Sequence, residues 1–151
     1  MKFVKFAFTM IELIFVIVII GVLSAIAVPK FKGIRDQADI SKGRADVSAI
    51  QSAILSERQS RLVKGQTGWI SYLTDPADAN TTLFKNNSLL LYGIKAGTTS
   101  GHWNRTGAHT YDYIVDDTNV TFTYDPTNGT FTCSTTGGTT KQNTYCKELT
   151  N

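Results

Sequence analysis

Residues Phe8 to Val28 form a 21-residue run with a single ionisable side chain, Glu12, in otherwise almost wholly apolar surroundings. As a helix the run would extend roughly 30 Å, enough to cross the hydrocarbon core of a bilayer. A carboxylate in such a stretch is costly unless a partner answers it, so Glu12 is read as functional. No cation lies in the same run. The best candidate partner is an amine on another copy of the chain, which implies self-assembly.

The flanks allow more than one reading. Lys2 and Lys5 precede the run and would hold the N-terminus in the cytoplasm, but Lys30, Lys32 and Arg35 follow it, so the charge bias is weak when counted. A basic start, an apolar middle and Ala25-Ile-Ala27 also describe a secretory signal peptide. Cleavage after Ala27 would release a soluble binding domain beginning at Val28-Pro29. An uncleaved simple anchor is the third possibility.

Ala7-Phe8-Thr9-Met10-Ile11-Glu12, followed by the apolar run and Pro29, resembles the prepilin-type N-terminal motif. That motif belongs to type IV pilins and to the pseudopilins of type II secretion and competence machines. The sequence departs from it at Ala7, where glycine is usual, and has Met10 in place of the commoner leucine. The resemblance covers the N-terminal 30 or so residues. It implies cleavage by a prepilin peptidase between Ala7 and Phe8, and N-methylation of the new Phe8 amine. It also implies that Glu12 of one subunit accepts the Phe8 amine of its neighbour. Two isolated charges in an apolar bundle are each costly, whereas a matched pair neutralises itself, so this contact would set the axial register of a helical homo-oligomeric filament.

Gly21 and Pro29 bracket the second half of the apolar segment. Proline removes a backbone hydrogen bond and clashes one turn back, and glycine weakens a helix, so a bend or local break is expected between them, with a simple kink as the alternative. Beyond Pro29, Phe31, Ile34, Ala38, Ala45, Val47, Ile50, Ile54 and Leu62 recur at near-helical spacing, and Gly65 is a plausible stop. A helix from Phe8 to Lys64 would run for roughly 85 Å, its first half in membrane or filament core and its second half under a globular head. The expected divisions are a leader (1–7), a transmembrane assembly helix (8–29), an amphipathic helix (30–64), an irregular connector (65–109) and an antiparallel β-meander with a disulfide loop (110–151).

Within the head, Trp69, Tyr72, Phe84 and Trp103 are expected to close over the long helix, and Leu89–Ile94 fits a strand or a helical turn. Thr110–Val115, Val120–Tyr124 and Thr130–Cys133 alternate and are rich in β-formers, with turns at Asp116–Asn119 and Asp125–Gly129. The two cysteines, Cys133 and Cys146, would lie outside the cytoplasm if the apolar run is an anchor, where a bridge is expected. The alternative is a pair of reduced thiols. Together these features look like the pilin fold, an α+β arrangement of one long helix and a small antiparallel sheet.

Composition narrows the function classes. The formal net charge of +3 falls to +1 once Lys2 and Lys5 are removed, which is no nucleic-acid pattern. His102 and His109 lack the spacing of a catalytic or metal site. Asp112, Asp116, Asp117, Asn119 and Asp125 read as solvated turns, with a calcium loop as the sharper alternative. Asn-x-Ser/Thr triplets at Asn80, Asn86, Asn104, Asn119 and Asn128 could accept glycans. No catalytic residue, metal or cofactor is expected. The resemblance implies a structural, non-enzymatic subunit anchored once in a bacterial inner membrane, with its head in the periplasm. Its implied partners are a platform protein, an assembly ATPase and minor pilins or pseudopilins. A type II secretion pseudopilus is the favoured assembly; a type IV pilus or competence pseudopilus is the alternative.

Overall fold

The computed structural model describes residues 8–76, 81–86 and 89–151. Ala7, on one side of the expected cleavage point, and Asn80, one of the candidate glycan acceptors, lie outside the described residues. The chain divides after Arg35 into two compact units.

Helix α1 (Met10–Val63) begins in the first unit. Thr9 starts it: the Leu13 amide donates the first helical bond to Thr9 O at 3.2 Å, and the Glu12 amide donates to Thr9 Oγ1 at 3.3 Å, so one otherwise orphaned N–H group is satisfied by the side chain. The helix includes both Gly21 and Pro29 without interruption. Its terminus carries a Schellman motif: Gly65 takes φ +76°, its amide donates to Leu62 O, and the Gln66 amide donates to Arg61 O. The expected stop at Gly65 therefore has a specific geometry behind it.

The second unit, Asp36–Asn151, is built on the later part of this helix. Its buried face is Ile40, Gly43, Val47, Ile50 and Ile54, a 3-4-3-4 spacing that keeps one side inward. Val47, Ile50 and Ile54 match the expected stripe. Phe31, Ile34, Ala38, Ala45 and Leu62 do not, because the buried stripe runs through Ile40 and Gly43 instead and leaves those five exposed.

Strands β1 (Thr82–Leu83) and β2 (Ile94–Lys95) form a small antiparallel pair. Strands β3 (Trp103–Arg105), β4 (Thr110–Val115), β5 (Thr118–Asp125) and β6 (Thr130–Cys133) form a four-stranded antiparallel meander in sequential order. The β4–β5 turn is two residues, Asp116 at φ 46° and Asp117 at φ 56°, narrower than the four-residue turn expected. Both residues take positive φ, the signature of a type I′ hairpin, and aspartate tolerates that region. Register aligns the apolar faces: Trp103 opposes Tyr113, which opposes Val120, while Tyr111 opposes Phe122, which opposes Cys133. The alternate positions Thr121, Thr123, Thr130 and Thr132 are exposed.

One expectation about the head needs correction. The stretch 65–109 is not wholly irregular, since it supplies β1, β2 and β3. The disulfide-tied C-terminal tail is present, and within it the chain folds into helix α2 (Thr140–Thr150), opened by a capping box in which Thr139 Oγ1 accepts from the Gln142 amide and Gln142 Oε1 accepts from the Thr139 amide. With the long helix, the antiparallel sheet and the C-terminal bridge, the architecture is the pilin-like α+β fold.

Candidate assembly segment

Between Phe8 and Val28 the first unit presents an almost wholly apolar surface. From Phe8 to Ile26 every residue is exposed, and the most apolar 18-residue window of α1 has no buried residue. Burial of that surface is worth about 1.5–3 kcal/mol for each large aliphatic side chain, so a lipid or protein environment is strongly favoured over water. The helix is long and apolar enough to cross a membrane.

Glu12 sits in the first turn of α1, exposed like its neighbours. Among the described residues no cationic side chain pairs with it. The N-terminal end of a helix carries partial positive charge, which favours a carboxylate there. That field and the Thr9 cap leave the carboxylate oxygens open to an external donor. Phe8 lies one helical turn earlier and is 79% exposed. A Cβ added at Gly21 would meet nothing within 4 Å, so this glycine answers no packing demand inside the monomer.

The remaining predicted sites have local roles in the second unit. Cys133 of β6 and Cys146 of α2 are joined by a disulfide with Cα atoms 5.9 Å apart. Of the four aromatic residues expected to close the head, Phe84 and Trp103 are fully buried, Trp69 is half-buried beneath the Arg58 guanidinium, and Tyr72 is exposed and stacked on His109. His102 Nδ1 lies 3.1 Å from Thr99 Oγ1. Asp112 accepts from Thr121, Asp116 pairs with Lys141, and Asp125 accepts from the Thr127 hydroxyl and amide. The Thr127 hydroxyl, then its amide, holds the Asp125 carboxyl below its ordinary range. No group of three or more His, Cys, Asp or Glu side chains is arranged to hold a metal ion among the described residues.

Several polar contacts that sequence reasoning missed fix the head on the later part of α1. Tyr113 Oη donates to Asp39 O at 2.6 Å, Gln51 Nε2 to Phe131 O at 3.1 Å, and Arg44 Nε and Nη2 to Glu148 O at 2.9 and 2.7 Å. Trp103 Nε1 donates to Asp46 Oδ2 at 3.0 Å. Polar residues in a helix interior carry no periodic signal, so only the alternation of the aromatic partners hints at them. Burial pushes the Tyr113 phenol well up, reinforced by the Asp46 and Asp39 carboxylates, and raises Tyr124 to about 12.

The chain thus combines a pilin-like α+β head with an exposed apolar helical segment whose one carboxylate has no cationic partner among the described residues. Comparison with known proteins agrees. The chain is 54% identical over 46 residues to the type IV narrow pilus major component PilA5 of Thermus thermophilus, covering 30% of this chain and 40% of that protein. It is 35% identical over 72 residues to the type II secretion system core protein G of Klebsiella michiganensis, covering 46% and 51%. It is 43% identical over 47 residues to the Escherichia coli core protein G, covering 31% and 32%. The matched part thus spans between about a third and a half of each relative's length. No family profile matches the chain, and no solved structure matches it. The curated homologues of this chain are a type IV pilin and pseudopilins of type II secretion.

Proposed function

We propose that the chain is a structural, non-enzymatic subunit of a type II secretion-like pseudopilus that supports protein export across an outer membrane. A prepilin peptidase cuts between Ala7 and Phe8, and the Phe8 amine is methylated. The monomer waits in the inner membrane with Phe8 near the cytoplasmic face and its head in the periplasm. An assembly ATPase and platform protein extract it into the filament, where neighbouring helices re-bury the apolar surface that leaves lipid. Minor pseudopilins complete the assembly.

The observation that carries this reading is Glu12: a carboxylate on an exposed apolar helix, without a cationic partner among the described residues. In the filament it accepts the Phe8 amine of a neighbour. A misregistered helix would leave one charge bare in low dielectric, so the contact specifies register. The Gly21–Pro29 stretch is continuous helix in the monomer and is the proposed place where helix is lost on assembly.

The test compares wild type with Glu12→Ala and Glu12→Gln. The account expects both variants to be inserted and processed but to assemble poorly, with Gln separating charge from shape. Normal filaments from Glu12→Ala would sink it. A type IV pilus is the second reading, favoured by the 54% identity to PilA5. Loss of surface fibres on deletion would select it, whereas a secretion defect without fibre loss selects the pseudopilus.

A further inference from the structure

The segment immediately after the apolar run has a face that the assembly reading does not use. Phe31 and Ile34 are 68% and 65% exposed, and Lys30 and Arg35 beside them are exposed as well. At about 100° per residue, Lys30, Ile34, Phe31 and Arg35 follow one another around a sector of about 140°. Two apolar side chains therefore form the centre of the sector and two cations its rims. Ala27 and Leu23 continue the same face back into the membrane-spanning run, so it is contiguous with the lipid-facing surface.

We infer that this face is a lipid-headgroup collar: Phe31 and Ile34 lie at the acyl boundary while Lys30 and Arg35 bind the phosphates of anionic phospholipids in the outer leaflet of the inner membrane. This rests on the reading of residues 8–28 as a membrane span. The chemistry matches an interfacial segment, in which apolar side chains enter the headgroup boundary and long cationic side chains reach up to phosphate. Arg35 already makes a contact within the chain. Its guanidinium carries five donors, so that contact leaves others for a phosphate oxygen. The collar sets the depth at which the monomer waits and adds an electrostatic barrier to its extraction, one that depends on lipid charge.

The experiment is amide hydrogen exchange on the full-length chain in nanodiscs of pure phosphatidylcholine and of phosphatidylcholine with phosphatidylglycerol. Amides of residues 30–36 are expected to exchange about fivefold more slowly in the anionic discs. The Lys30→Gln, Arg35→Gln double variant should abolish that difference, and Lys30→Arg should keep it. Equal exchange in the two lipids, with the chain still embedded, overturns the collar alone. Protection that instead follows the protein-to-lipid ratio overturns it in favour of subunit contact. Release of the chain from vesicles by alkaline carbonate overturns the membrane-span reading itself.

Discussion

The Trp103 indole N–H donates to the Asp46 carboxylate across 3.0 Å, joining the first strand of the meander to the long helix at a point where Trp103 is fully buried. The carboxylate gives the indole its one hydrogen-bond acceptor. Burial raises the Asp46 pKa, and the Trp103 hydrogen bond and Lys42 oppose that rise. Asp46→Ala should destabilise the head by about 1–2 kcal/mol in urea denaturation, because it strands a buried donor. Asp46→Asn keeps an acceptor and should be much milder. The pH dependence has a definite sign. A carboxyl raised in the fold binds its proton more tightly there, so its contribution to stability declines as pH rises from 3.8 through the raised value. The Asn variant should lose that part of the slope, and an unchanged slope would reject the assignment.

Gly43 sits where the long helix packs tightly against Tyr113 of β4 and Leu149 of α2. A Cβ built there would stand 2.4 Å from Tyr113 Cε1 and 2.6 Å from Leu149 Cδ2. Both neighbours are fully buried and have little room to retreat. Gly43→Ala should therefore cost about 1–3 kcal/mol despite the better helix propensity of alanine. Gly21→Ala, with open space around its Cβ, should leave head stability unchanged in the same denaturation assay.

The Cys133–Cys146 bridge closes a loop of sequence separation 13 and fastens α2 to the end of β6. A loop of this length is worth about 3 kcal/mol through the unfolded chain. Cys146→Ser should lower denaturant stability by about that amount, and reduction of the wild type should lower it comparably. A much smaller loss would mean that the packing of Leu149 and the Arg44 contact to Glu148 O hold the helix without the bridge.

These contacts show why the fold was only partly legible. Strands β5 and β6 announce themselves through alternation of buried apolar residues with exposed threonines, whereas β4 is marked by its β-formers, Tyr111, Tyr113, Ile114 and Val115, and is buried on both faces. Strand β3 is three residues, Trp103-Asn-Arg105, too short for a period to emerge. Helix α2 buries only Cys146 and Leu149, so its apolar signal is faint, although Thr139-x-x-Gln142 was a readable start. On α1, Gly43 lies in the buried stripe without being apolar, which pulled the expected face towards Ala45. Glu12, by contrast, stood out because charge in an apolar run is rare, and the structure leaves it without a cationic partner among the described residues.

The N-terminal peptide of the protein from isolated membranes, identified by mass spectrometry, tests the central claim most directly. The account predicts a chain that begins at N-methylated Phe8, with Glu12 retained in the mature subunit. A chain that begins at Val28 would contradict it, because the apolar helix and Glu12 would then have been discarded before the protein acted.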